Sequence, residues 1–133
     1  TLYRFIYYGL KDTNEELYDL LRAIYFLELR PLYNPELFLA NGDTYYIITG
    51  RHNQTDEEAT KKWCSKHCPS CKGVCLVGGE NISTREAKRD KISELGIDVY
   101  FDDDPNVVSF LRENLPEVTI IQIGGVTDKK YLN

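Results

Sequence analysis

Long apolar runs are missing from this chain. In its 133 residues no stretch approaches the roughly 18 apolar residues that a membrane helix requires, so no membrane span is expected. Arg4 and Lys11 do not flank a secretory h-region, which points to a cytoplasmic protein. Methionine is absent altogether, and cysteine is scarce but crowded, with all four copies between positions 64 and 75. Blocks of positive charge are lacking too: 16 Lys plus Arg face 21 Asp plus Glu, for a net charge of -5. Non-specific affinity for nucleic acid comes from clustered cations, so a general phosphate-backbone binder is not expected. Spare length is also missing. A chain of this size buries one real core and not two, which predicts a single domain over 1–133 with no separate cap or substrate domain. What is present, 42% hydrophobic and 28% charged residues, is the composition of an ordinary soluble domain.

Periodicity gives five short apolar runs of strand type, at 3–8, 44–49, 74–77, 98–101 and 118–123, each except the last followed by a helical segment. Three helix starts carry an S/T-x-x-E capping box, in which a hydroxyl and a carboxylate satisfy the free N–H groups of a first turn: Thr13 with Glu16, Thr55 with Glu58, and Ser83 with Glu86. The first helix bears Leu17, Leu20, Leu21, Ile24 and Leu27 on one stripe, and the fourth begins near Pro105, a residue suited to a first helical position. The stretch 28–43 reads as a connection with a short helical piece at 35–39. An alternating βαβα order predicts a three-layer, Rossmann-like α/β fold with a five-stranded, mainly parallel sheet flanked by helices. The 10 Tyr, many of them in the first half, are expected as core and interface rings, with a base-stacking platform as the alternative. The apolar first helix and the Tyr-rich first strand would suit a homodimer surface.

Ligands of an open parallel sheet gather outside the carboxyl ends of its strands. There the sequence places Thr49, Gly50 and Arg51 after the second strand, Asp102, Asp103 and Asp104 after the fourth, and Lys88 on the helix before it. A hydroxyl and a cation suit phosphate oxygens, and adjacent carboxylates suit a hard cation such as Mg2+. The bland reading is a solvated Thr-Gly-Arg turn and an acidic helix N-terminus.

In their order and spacing, Tyr45 to Arg51 (YYIITGR), Thr60 and Trp63 on the next helix, Lys88, and Asp102 with Asp103 in the run KRDKISELGIDVYFDDDP resemble the haloacid dehalogenase superfamily. Its members are mostly Mg2+-dependent phosphatases on a Rossmann-like sheet. The likeness spans residues 32–125. It implies that Thr49, with Gly50 and Arg51, binds a phosphoryl group, that Lys88 neutralises it, and that Asp102 and Asp103 hold Mg2+. Arg85, Arg89 and Lys91 compete with Lys88 for its place. The family's first motif, D-x-D-G, is missing: the matching stretch reads Ile6-Tyr7-Tyr8-Gly9. Covalent chemistry at phosphorus needs a charged oxygen nucleophile, and neither Ile nor a Tyr with a pKa near ~10 supplies one. The expectation is therefore a haloacid-dehalogenase-like domain without its nucleophile, binding a phosphorylated small molecule, a nucleotide or a protein partner. The alternative is a Mg2+-dependent phosphohydrolase of nucleotidase type that uses Asp12, the nearest carboxylate.

The cysteines read Cys64-x3-Cys68-x2-Cys71-x3-Cys75, with His67 inside the run. Thiols so closely spaced in a reducing compartment bind metal more often than they bridge. A helix end, a knuckle and a strand would wrap the four thiolates of Cys64, Cys68, Cys71 and Cys75 around one structural Zn2+. An iron–sulfur cluster, one or two disulfides and plain buried thiols are the competing readings. His67 is expected at the helix end, facing the last carbonyls.

Overall fold

A computed structural model of the chain describes residues 39–40, 42–79 and 81–123. They form β1 (Tyr46–His52), α1 (Glu57–His67), β2 (Gly73–Gly78), α2 (Thr84–Leu95), β3 (Val99–Asp102), α3 (Pro105–Asn114) and β4 (Thr119–Gln122). The strand expected at 3–8, the helix begun at Thr13, and with them Ile6, Tyr8 and Asp12 lie outside the described residues.

The class is α/β with parallel pairing, as the alternation predicts. Four described strands make two separate two-stranded sheets, β1 beside β2 and β3 beside β4, both parallel. The single five-stranded sheet expected from the sequence is not what these residues form. One helical layer nevertheless serves both pairs, because α2 packs on β1, on β2 and on α3, which covers β3 and β4. The core lies in that layer. Ile92, Val108 and Leu111 are fully buried and meet Tyr100, Val107, Leu115 and Ile120, with Ile48 of β1 packed against the same cluster. Burying each large aliphatic side chain there is worth about 1.5–3 kcal/mol. The reverse face of the β3–β4 pair carries Val99, Phe101 and Ile121, all exposed.

The helix boundaries follow from their caps. Ser83 holds α2 by accepting a 3.4 Å bond from the Glu86 amide, as its capping box predicts. The helix ends on Gly96, whose φ of 66° is left-handed, a conformation that glycine adopts without a Cβ penalty. Asp104 accepts from the Asn106 amide at 2.9 Å and Pro105 takes the first turn of α3. In α1 the cap falls on Asp56, one residue past the expected Thr55. The reason is local: the Thr55 amide is drawn to His52 Nδ1 at 3.3 Å and the Thr55 hydroxyl donates to Asp56, so Thr55 belongs to the preceding turn.

Among the described residues, no helix is long and apolar enough to cross a membrane.

Candidate functional site

β1 does not stop at Thr49. It runs on to His52, and between Thr49, paired with Leu76, and His52, paired with Gly78, the register slips by one residue. Gly50 and Arg51 together face one residue of β2, which is a β-bulge. Thr49, Gly50 and Arg51 therefore sit in a bulged strand and not in a turn after it. Gly50 is required by contact: a Cβ there would lie 2.7 Å from Thr84 Cγ2, at the start of α2. Thr49 Oγ1 accepts the Arg51 amide at 3.3 Å, and Arg51 Nη1 donates to the buried Thr60 hydroxyl on α1 at 3.1 Å. Arg51 thus reaches toward α1, while Gly50 backs onto α2.

The strand's true end brings in residues that the motif reading passed over. His52 donates its amide to Asp56 Oδ2 at 2.9 Å, and its Nδ1 accepts the amides of Gln54 at 3.1 Å and Thr55 at 3.3 Å. A ring nitrogen that accepts carries no proton, which puts the proton on Nε2. Asp56 is 2% exposed, so its carboxylate closes the β1–α1 turn. An acid followed by a helix, with a His four residues before it, was the available signal.

At the end of β3 the structure joins two residues that the sequence had singled out separately. Lys88 Nζ lies 2.8 Å from Asp102 Oδ2, with side chains 12% and 5% exposed. The Tyr100 hydroxyl donates to the same oxygen at 2.7 Å, and the Asp104 amide donates to Oδ1 at 3.0 Å. The three competitors of Lys88 are engaged elsewhere: Arg85 and Arg89 lie over the Phe110 ring at 4.7 and 5.7 Å, and Lys91 pairs with Glu94 at 2.9 Å. Burial works to raise the affinity of Asp102 for a proton. The Lys88 ammonium first, then the Asp104 amide and the Tyr100 hydroxyl, outweigh it and hold the carboxyl below the usual carboxylate range. Burial and the adjacent Asp102 and Asp103 charges push the Tyr100 phenol far above its ordinary value, so it stays a donor. Asp103 is exposed. Asp102, expected as a Mg2+ ligand, here has both oxygens engaged by donors of the chain itself.

The cysteines are all free thiols. Cys64 and Cys68 are buried at the end of α1, where the Cys68 amide bonds to the Cys64 carbonyl at 2.7 Å. The chain then turns back, with the Cys71 amide on the Cys68 carbonyl at 3.1 Å. Burial and the neighbouring Cys68 and Cys71 push the Cys64 thiol up to about 11, while the nearby Arg51 guanidinium pulls it down. Cys75 is placed differently. It pairs with Ile48, and paired residues of a parallel ladder share a face. Ile48 packs into the core cluster with Ile92 of α2, so Cys75 projects to the α2 side, whereas Cys64 belongs to α1 and Cys68 to its C-cap. Among the described residues, no group of three or more His, Cys, Asp or Glu side chains is assembled to hold a metal ion. His67 lies against the Trp63 ring, with centroids 4.6 Å apart.

No protein-family model, no curated protein and no solved structure matches the chain.

Proposed function

We propose that the chain is a haloacid-dehalogenase-like domain that binds a phosphorylated small molecule without hydrolysing it. The observation that carries the proposal is the Lys88–Asp102 pair at the carboxyl end of β3, combined with Ile6 and Tyr8 at the positions where the resemblance calls for two carboxylates. An acid already neutralised by an internal ammonium gains less from a divalent cation, and a site without a charged nucleophile forms no phosphoryl-enzyme. Thr49, Gly50 and Lys88 would meet the phosphate, with Arg51 committed to α1.

The test pairs turnover with binding. With Mg2+ and p-nitrophenyl phosphate or nucleoside monophosphates, no hydrolysis is expected, while calorimetric titration with inorganic phosphate or vanadate shows binding that Lys88→Met removes. Robust hydrolysis abolished by Asp103→Asn or by Asp12→Asn overturns the proposal, as does the absence of any binding.

A further inference from the structure

Among the described residues β4 is paired on one side only, with β3, and the hydrogen bonds of that pairing show which of its main-chain groups are left over. The Thr119 amide bonds to the Asp98 carbonyl at 2.9 Å and the Ile123 amide to the Asp102 carbonyl at 3.0 Å. Bonds of a parallel ladder are evenly spaced, with every second residue of a strand turned toward its partner. The amide and carbonyl of Ile120 therefore face the outer edge. That carbonyl is occupied by Arg112, in the last turn of α3, which brings Nε to 3.3 Å and Nη2 to 3.0 Å of it.

We propose that Arg112 is an edge guard: by filling the outward carbonyl of Ile120 it keeps β4 from pairing with the β4 of a second copy of this chain. The proposal is independent of the phosphate-binding reading.

A cation in the last turn of a helix also opposes the helix dipole, which is the plainer role for Arg112. That role accounts for its charge but not for its aim. A side chain serving the dipole donates to the last carbonyls of its own helix, whereas both donors of Arg112 converge on one carbonyl of a strand. Nor is the guanidinium held there by an acid, since among the described residues the ion pairs of Lys61, Lys62, Lys88, Arg89 and Lys91 leave Arg112 out.

The second observation is what lies beside the edge. Val99, Phe101 and Ile121 are exposed on the open face of the same strand pair. Two copies of β4 set antiparallel about a two-fold axis, with Ile120 opposite Ile120, would exchange bonds through the outward amide and carbonyl of each. Their apolar faces would then run into one surface. Strand edges of this kind template association, and proteins blunt them with charge. β4 has no charge of its own, because its residues are Thr119, Ile120, Ile121 and Gln122. The charge has to come from α3, and Arg112 supplies it.

Sedimentation velocity on the full chain, over about a hundredfold range of concentration, reads association by mass action. Arg112→Ala, which suits an exposed helical position, and Arg112→Met, which keeps the apolar stem, are both expected to move to twice the mass of the wild-type species with unchanged far-ultraviolet circular dichroism. Hydrogen exchange at single amides places the contact: the Ile120 amide is expected to exchange at least about 10-fold more slowly in the associated variants than in the wild type, because a second strand now accepts from it. Adding Ile121→Lys to Arg112→Ala puts a cation back at the edge and is expected to restore the wild-type mass. Wild-type mass in both Arg112 variants throughout the range, added mass without slower exchange at Ile120, or no recovery with Ile121→Lys overturns the proposal. So does exchange at Ile120 that slows with concentration in the wild-type chain.

Discussion

Replacing Lys88 by Met keeps the length of the side chain and deletes its charge, which isolates what the ammonium does for Asp102. Breaking a buried pair by removing one partner ordinarily costs about 3–5 kcal/mol, because the other charge is left uncompensated. Here Asp102 would keep two donors, the Tyr100 hydroxyl at 2.7 Å and the Asp104 amide at 3.0 Å, so the lower end, about 3 kcal/mol, applies. For a chain of this size that corresponds to a drop of roughly 10 °C in Tm. Urea unfolding followed by circular dichroism measures the loss, and Asp102→Asn completes a double-mutant cycle. With no carboxylate left to strand, the double variant should be more stable than the sum of the single losses implies. A Lys88→Met cost below about 1 kcal/mol, the scale of an exposed pair, would show that the carboxylate is well solvated. Additivity within about 0.5 kcal/mol would refute direct coupling.

The same pair sets a pH dependence: a carboxyl held below its ordinary value of about 3.9 contributes stability that is present above that value and lost as pH falls through its own lower one. Urea midpoints taken from about pH 6 down to pH 2 should fall more steeply for the wild type than for Asp102→Asn; parallel curves would contradict this. Gly50→Ala sets a methyl 2.7 Å from Thr84 Cγ2 and should cost about 1–3 kcal/mol; Thr84→Ser, which deletes that carbon, should restore most of it. Leu111→Ala empties a fully buried site and should cost about 2–5 kcal/mol by the same assay.

The identity and order of the four described strands were legible because each apolar run is bracketed by turn and cap residues. Their ends were less so. Gly50-Arg51 looks like a turn, yet β1 passes through it as a bulge, because Gly50 lets α2 approach closely and Arg51 has Thr60 to bond with across the β1–α1 interface. Lys88 and Asp102 were both singled out from sequence, but the choice of Lys88 over its neighbours needed the packing that turns Arg85 and Arg89 onto Phe110. Tyr100 was read only as an apolar strand residue, since nothing local shows its hydroxyl meeting Asp102. The placing of Cys75 on the α2 side was not legible either. Spacing along the chain says nothing about which face of a sheet a strand residue takes; that depends on pairing with Ile48, a partner 27 residues away by sequence number.

The bulge in β1 also fixes the start of a helix. Its extra residue carries His52 to the register position from which its amide meets Asp56 and its ring receives the Gln54 and Thr55 amides, and these contacts decide where α1 begins. Successive residues of a strand alternate between its two faces. Deleting a single residue from the bulge would straighten the ladder and put His52 on the opposite face, taking its amide and ring away from Asp56, Gln54 and Thr55 and removing the contacts that fix the start of α1. The start of the cysteine-bearing helix is thus set by one inserted backbone unit, and a one-residue deletion there would do more to it than most side-chain substitutions in α1.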